Sequence, residues 1–176
     1  MTHLAVVFPG ASYHHGMPVL RLPSLVLERA GAVVVPVSYT STTEDEPFYA
    51  GVDAALEAAL AEHGPTRLTL VGKSLGGHAL AHLARRGVGA DEAVWLTPVF
   101  VRDEVYDGAQ RASWRSLYVY GTADPAHHPE RQASLAGAKV ELAGADHALE
   151  VAGDPAATLD GWRRIVDAVS ALLEQG

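Results

Sequence analysis

Three side chains that lie far apart in the sequence could together perform nucleophilic catalysis. They are Ser74, Asp124 and His147. A serine hydroxyl is a weak nucleophile until a base removes its proton, and the base must itself be oriented by a third group. Histidine commonly serves as the base near neutral pH, and a carboxylate commonly orients it. The sequence therefore predicts a triad in which Ser74 is the nucleophile, His147 the general base and Asp124 the orienting acid.

The residues around Ser74 predict how the nucleophile is presented. An apolar run at 68–71 leads directly into Gly-Lys-Ser-Leu-Gly-Gly at 72–77, and residues 78–86 have the character of a helix. This is a G-x-S-x-G motif between a strand and a helix. The reversal requires strained backbone at one residue, about 1–3 kcal/mol above a relaxed conformation. Glycines two positions before and after Ser74 leave room for strand and helix to approach each other.

Two other interpretations of this stretch have less support. Gly-Lys-Ser also occurs in the phosphate-binding loop G-x-x-x-x-G-K-[ST], but that motif needs a glycine where this chain has Arg67. A chance match to G-x-S-x-G is the other alternative, since the chain contains 17 glycines.

His78 and His82 have the i, i+4 spacing of metal ligands but lack the glutamate of H-E-x-x-H, so they are interpreted as helix-face histidines. We expect no metal site.

Composition narrows the class of protein. The 176 residues are 48% hydrophobic and 19% charged, which favours one globular domain, 1–176, with a full core. The net charge of −8 argues against a nucleic-acid partner. The absence of cysteine excludes disulfides and a cysteine nucleophile. No signal-peptide pattern or run of about 20 apolar residues is present, so we expect a cytoplasmic protein without a membrane partner.

Strands and helices alternate along the chain. Apolar or alternating runs predict strands at 4–8, 32–38, 67–71, 92–97, 116–120 and 139–142. Helices are predicted at 23–30, at 78–86, within 98–114, and from Pro155 onward with Asp154 as N-cap. Another helix is predicted after the loop at 40–46, with Val52, Ala55, Leu56, Ala59 and Leu60 on one face. The last helix is expected to bury Leu159, Trp162, Val166, Val169 and Leu173. Such alternation is typical of an α/β protein with a parallel sheet.

All three members of the predicted triad directly follow a predicted strand. Ser74 follows the third strand, Asp124 the fifth and His147 the sixth. The carboxyl ends of parallel strands meet at one edge of a sheet, and open α/β sheets place their sites there. The placement and the chain order Ser, Asp, His therefore support the triad independently of the G-x-S-x-G motif.

Four motifs carry a resemblance to a known family: Phe8-Pro-Gly-Ala11, Gly72-Lys-Ser-Leu-Gly-Gly77, Gly121-Thr-Ala-Asp124 and Gly144-Ala-Asp-His147. With them the chain resembles small bacterial α/β-hydrolases without a cap, in the group of dienelactone-hydrolase-like proteins and serine esterases. The resemblance implies a three-layer fold of about six parallel strands in the order 2-1-3-4-5-6. Dienelactone hydrolases proper use a cysteine nucleophile, so their substrate is not carried over.

The motif and the resemblance imply a function. We expect a serine hydrolase of small carboxylic esters or thioesters, working through an acyl-enzyme without a cofactor. Leu75, which follows the nucleophile, should supply one backbone N–H of the oxyanion hole; the resemblance implies Ala11, or its neighbour Ser12, for the other. The alternatives are a non-catalytic protein of this fold that binds a small molecule or partner, and acyl transfer to an alcohol or peroxide by the same residues. The sequence predicts no oligomeric state.

Loop residues near the predicted triad are candidates for contact with the small-molecule substrate. They are Tyr13, His14, Tyr39, Val99 and Phe100. Aromatic and apolar side chains on such loops can line a pocket, or they can pack the loops against the core. His15 and the pair His127-His128 also fall on these loops, where solvation is the simplest interpretation, with substrate contact by His14 or His15 as the alternative. Asp146 is expected to fix its loop, although it is an alternative acid, and Lys73 is either a surface charge or a partner behind the site.

Overall fold

The computed structural model describes residues 2–174, which form one parallel sheet with helices on both faces. The strands are β1 (His3–Phe8), β2 (Ala32–Pro36), β3 (Arg67–Lys73), β4 (Glu92–Leu96), β5 (Arg115–Gly121) and β6 (Ala138–Leu142). Their order in the sheet is β2-β1-β3-β4-β5-β6, and every neighbouring pair is parallel. The predicted topology is therefore confirmed.

Within residues 2–174, six helices flank the sheet. They are α1 (Pro18–Arg29), α2 (Glu46–His63), α3 (Leu75–Arg85), α4 (Asp103–Arg111), α5 (Pro129–Ser134) and α6 (Pro155–Glu174). Alternate strand residues point to opposite faces. Leu4, Val6 and Phe8 pack with α2, α3 and α4, whereas Ala5 and Val7 pack with α1 and α6. The result is a three-layer arrangement with a separate apolar core on each face of the sheet.

The edges of the sheet agree with the sequence patterns. Pro36 ends β2, which is an edge strand and can accommodate a residue that has no N–H to donate. The alternating strand β6 is the opposite edge, with Val140 and Leu142 buried and its other residues exposed. At the start of α6, Asp154 accepts a hydrogen bond from Ala157 N at 2.9 Å, as expected of an N-cap.

Three local features differ from the sequence prediction. Helix α1 begins at Pro18 rather than at residue 23, because a proline is compatible with the first turn and Val19 and Leu20 add to the buried face. Leu159 is 62% exposed and not buried, because α6 turns Thr158 and Gly161 toward the core instead. The short polar helix α5 was not predicted.

Among residues 2–174, no helix combines the length and the hydropathy needed to cross a membrane.

Candidate active site

Ser74 lies at the reversal between β3 and α3. Its backbone has φ 52° and ψ −106°, a conformation that side-chain-bearing residues rarely adopt. The strain, of order 1–3 kcal/mol, is maintained by the surrounding structure. Ser74 N donates to Leu96 O of the neighbouring strand at 3.0 Å, and Ser74 O accepts from Gly77 N at 2.8 Å. The reversal leaves the Ser74 side chain half-buried at the carboxyl edge of the sheet.

The glycines of the motif allow a close approach between α3 and the sheet. A Cβ atom on Gly76 would overlap the carbonyl oxygen of Phe8 in β1, and a Cβ atom on Gly72 would lie 2.5 Å from the carbonyl oxygen of Gly76. Neither obstacle is a flexible side chain that could move aside. A Cβ atom on Gly77 would instead lie 3.7 Å from Pro98 Cα, an ordinary contact distance. The three glycines of one motif therefore differ in their tolerance of a side chain.

Gly76→Ala is expected to lower the free energy of unfolding by roughly 3 kcal/mol or more, because the added methyl group forces α3 away from β1. Gly77→Ala is the matched control in the next position of the same helix turn. It should change stability by no more than about 1 kcal/mol, since its methyl group has space and alanine favours helix. Thermal unfolding followed by circular dichroism compares the two. Equal stability of both variants would contradict the packing described for Gly76.

The structure brings the three residues of the predicted triad into a continuous line of hydrogen bonds. Ser74 Oγ lies 2.8 Å from His147 Nε2, and His147 Nδ1 lies 2.8 Å from Asp124 Oδ2. The other carboxylate oxygen of Asp124 accepts a hydrogen bond from Ala126 N at 2.8 Å. Asp124 is only 6% exposed, whereas the His147 side chain is 39% exposed. The Asp124 carboxylate is therefore buried, whereas the His147 imidazole is partly exposed to solvent.

The environment of Asp124 keeps its carboxyl group ionised. Burial by itself would raise the pKa of Asp124, but hydrogen bonds from His147 and Ala126 N and the nearby charges of His147 and Lys73 outweigh it, so that the pKa lies below its ordinary value. An ionised carboxylate can only accept hydrogen bonds. His147 Nδ1 must therefore carry a proton, and in the neutral imidazole Nε2 is the atom that can accept the proton of the Ser74 hydroxyl.

The loop that carries His147 is fixed by its own hydrogen bonds. Asp146 Oδ1 accepts from Ala148 N at 2.8 Å and from Glu150 N at 3.1 Å. Asp146 N donates to Glu150 O at 2.9 Å, and Leu149 closes the turn with φ 60°. Asp146 thus has the loop-fixing contacts expected from the sequence, and its carboxylate is engaged away from the imidazole.

Lys73 is a buried cation directly behind the nucleophile. It is 2% exposed, and its Nζ donates to His147 O at 2.9 Å and to Thr97 Oγ1 at 3.2 Å. The same ammonium group lies 4.5 Å from the centroid of the Tyr13 ring. Burial lowers the pKa of Lys73 to about 8, although the charges of Asp124 and Asp146 oppose the shift. Lys73 is therefore not a surface charge.

No protein-family model and no curated protein matches the sequence. An α/β serine hydrolase homologue from Coxiella burnetii has a TM-score of 0.75 and 14% identity, over 98% of this chain and 85% of the other. Est1E from Butyrivibrio proteoclasticus with ferulic acid bound has a TM-score of 0.72 and 14% identity, over 98% and 88%. An α/β serine hydrolase without a lid from Xanthomonas campestris has a TM-score of 0.70 and 16% identity, over 98% and 81%.

The chain has the α/β-hydrolase fold. The resemblance inferred from the four motifs is confirmed at this level, and the similarity to a protein without a lid agrees with the expected absence of a cap. In this fold the G-x-S-x-G turn and the loops that carry Asp124 and His147 occupy one edge of the sheet.

A cleft of about 600 Å³ lies beside Ser74. It is formed by the loops that follow β1 and β2, and Ala11, Tyr13, His14 and Tyr39 are among its lining residues. A Cβ atom on Gly10 would lie 3.6 Å from Ser74 Cβ, so the wall of the cleft adjoins the nucleophile. The lining also includes His15, which was an alternative to His14, and three residues that the sequence analysis did not assign to the substrate: Ser12, Ser38 and Thr42.

The position of Phe100 differs from the prediction. Its side chain is fully buried, with its ring centroid 5.9 Å from that of Tyr118 and 6.3 Å from that of Tyr106. Val99 is half-buried, and neither residue is part of the cleft beside β1 and β2. The loop after β4 turns Phe100 into the core because a large apolar ring gains more from burial there than from solvent contact.

The histidines of α3 pair with carboxylates on neighbouring elements. His82 Nε2 lies 3.0 Å from Asp53 Oδ1, and His78, which is 3% exposed, lies 3.6 Å from Glu44 Oε1. Burial lowers the pKa of His78, while Glu44 and Glu104 oppose the shift. Within the described part of the chain, no group of three or more potential ligands is arranged to hold a metal ion.

Proposed function

We propose that this α/β-hydrolase is a serine hydrolase that cleaves carboxylic ester or thioester bonds of small substrates through an acyl-enzyme. The single observation that carries the proposal is the line of two 2.8 Å hydrogen bonds from Ser74 through His147 to Asp124. In a fold whose relatives include serine hydrolases, this line has the composition and geometry that acyl transfer requires.

The proposed reaction has two stages, acylation of Ser74 and hydrolysis of the acyl-enzyme, and His147 transfers protons in both. Ser74 Oγ attacks the acyl carbon while His147 Nε2 takes the hydroxyl proton, which gives a tetrahedral oxyanion. His147 then gives that proton to the leaving oxygen or sulfur, and the acyl group remains on Ser74. A water molecule attacks this acyl-enzyme by the same route and releases the carboxylic acid. Throughout, Asp124 stabilises the transient imidazolium ion and holds its orientation.

The oxyanion needs two hydrogen-bond donors near Ser74. Leu75 N–H occupies the first position of α3, where an amide has no partner within the helix and the helix dipole favours negative charge. Ala11 N–H is proposed as the second donor, because the loop that bears it approaches Ser74 closely at Gly10. Loss of one such donor typically reduces the rate by about 10²–10³-fold.

The adjoining cleft is proposed to hold the substrate. Tyr13, His14 and Tyr39 line it and offer aromatic surface together with polar groups for orientation. Est1E, which is similar in fold, is known with ferulic acid bound, and a carboxylic acyl group of that size class is compatible with a cleft of about 600 Å³. We place the whole site in a single domain, 1–176, and propose that it requires no cofactor.

A panel of substrates tests the proposed function. We expect hydrolysis of p-nitrophenyl esters and of acyl thioesters with short acyl chains, with turnover falling as the chain exceeds what the open cleft can cover. Release of p-nitrophenol and of free thiol measures the two leaving-group classes on the same protein sample. If correctly folded protein hydrolyses none of these substrates, the proposal is contradicted, and a binding role for the cleft becomes the better account.

A further inference from the structure

The cluster around Lys73 contains a buried charge that the catalytic steps do not use. Lys73 is 2% exposed, yet its two hydrogen-bond acceptors, Thr97 Oγ1 and His147 O, are both uncharged. No ion pair within 4.0 Å that the structure records for residues 2–174 includes Lys73. Removing an ammonium group from water without a carboxylate partner is costly, and an apolar side chain of similar length would avoid the cost. Stability alone does not explain a lysine here.

The contacts of Lys73 join separate segments of the active-site edge. Lys73 ends β3 and precedes the nucleophile, Thr97 follows β4 and is fully buried, and Tyr13 belongs to the loop after β1. Thr97 itself has a positive φ of 44°, so its hydroxyl is presented from a strained turn. The remaining acceptor is the carbonyl group of His147, the residue whose imidazole must reach Ser74.

Two other hydrogen bonds of the His147 loop connect it to the segment that follows β5. Ala123 N donates to Ala145 O at 2.9 Å, and Gly144 N donates to Thr122 Oγ1 at 2.8 Å. These bonds attach the loop to the segment that carries Asp124. They fix the histidine relative to its acid, whereas Lys73 connects it to the strand that carries the nucleophile.

We propose that Lys73 is a positioning residue of the hydrolase, which holds the backbone of His147 against the end of β3 so that the imidazole stays within hydrogen-bond distance of Ser74. The inference rests on the proposed serine hydrolase function. It assigns no proton transfer to Lys73: the ammonium group acts through the His147 carbonyl, with Thr97 and Tyr13 fixing its own position. A misplacement of a catalytic base by about 1 Å can reduce a rate by about 10²-fold.

Lys73→Met is the direct test, and Lys139→Met is the matched control at the other lysine of the chain, on the exposed edge strand β6. We expect Lys73→Met to reduce kcat by about 10- to 100-fold with KM changed less than about twofold, and to melt no lower than the parent protein. Lys139→Met should retain the parent kcat. Thr97→Val removes the hydroxyl group that accepts a hydrogen bond from Lys73 and keeps the shape of the side chain. It should reduce kcat severalfold, and it replaces Lys73→Met as the test if that variant does not fold.

A spectroscopic measurement separates positioning from general support of the fold. The Nδ1 proton of His147, bonded to Asp124, should give a downfield proton resonance in the parent protein and in Lys139→Met, and it should shift or broaden in Lys73→Met. Parent-like kcat with an unchanged resonance in Lys73→Met would overturn the inference. If the parent protein hydrolyses no substrate, the proposed function fails, and the resonance alone then decides whether Lys73 orders the imidazole.

Discussion

Replacing Ser74 with alanine is expected to abolish hydrolysis of short p-nitrophenyl esters, with a loss in kcat of about 10³-fold or more. The hydroxyl oxygen that lies 2.8 Å from His147 Nε2 is the only atom removed, and no acyl-enzyme can form without it. Alanine keeps the Cβ atom of serine, so the strained backbone at φ 52° is equally demanding for both residues. Stability should therefore be nearly unchanged, which makes the loss of activity attributable to chemistry.

Ser113→Ala is the control for this experiment. Ser113 is exposed and precedes β5, at the end of the sheet opposite the site, so the same atom is removed where no chemistry is proposed. This variant should retain the parent kcat. Initial rates with p-nitrophenyl acetate, measured on proteins of matched melting temperature, give the comparison. Undiminished turnover in Ser74→Ala would exclude Ser74 as the nucleophile.

Asp124→Asn is expected to lower kcat by about 10⁴-fold while the fold is retained. The amide can still accept the hydrogen bond from Ala126 N, but its NH₂ group then faces His147 Nδ1. That arrangement favours the tautomer with the proton on Nε2, in which the imidazole cannot accept the proton of Ser74. The lost negative charge would also leave the imidazolium ion without its partner.

Asp146→Asn distinguishes the two candidate acids of the triad. Asp124 contacts the His147 imidazole in the folded protein, whereas Asp146 is its neighbour in the sequence. Oδ1 of Asp146 accepts hydrogen bonds from Ala148 N and Glu150 N, and the amide oxygen of asparagine can accept both, so the replacement should keep the loop and cost no more than about tenfold in kcat. Rates of both variants with the same ester decide between them. A larger loss in Asp146→Asn than in Asp124→Asn would contradict the assignment of the acid.

The fold was largely predictable because the hydrophobic pattern of each strand can be recognised in a short stretch of sequence, and such stretches recur along the chain. Continuous apolar runs such as residues 4–8 are typical of strands buried on both faces, and the exposed alternation of β6 marks an edge. The strand order came from the resemblance carried by four short motifs and agrees with the structure. The residues proposed as a triad could be selected because each directly follows a strand of a parallel sheet.

The features that could not be predicted depend on packing between distant segments. Nothing in the local sequence shows that Phe100 turns into the core or that α6 directs Leu159 outward. The contacts of Lys73 likewise depend on Thr97 and His147, 24 and 74 positions away. One signal was available: Lys73 lies at the end of a buried apolar strand and immediately before the candidate nucleophile, where a long side chain has little access to solvent.

Covalent labelling by a fluorophosphonate tests most directly whether the line from Ser74 to Asp124 creates a reactive nucleophile. Such a reagent phosphonylates an activated serine without needing the natural substrate, and peptide mass spectrometry locates the adduct. We expect one adduct, on the peptide that contains Ser74, and none in Ser74→Ala. Folded parent protein that remains unlabelled, or that is labelled at another serine, would contradict the proposed catalytic role of Ser74.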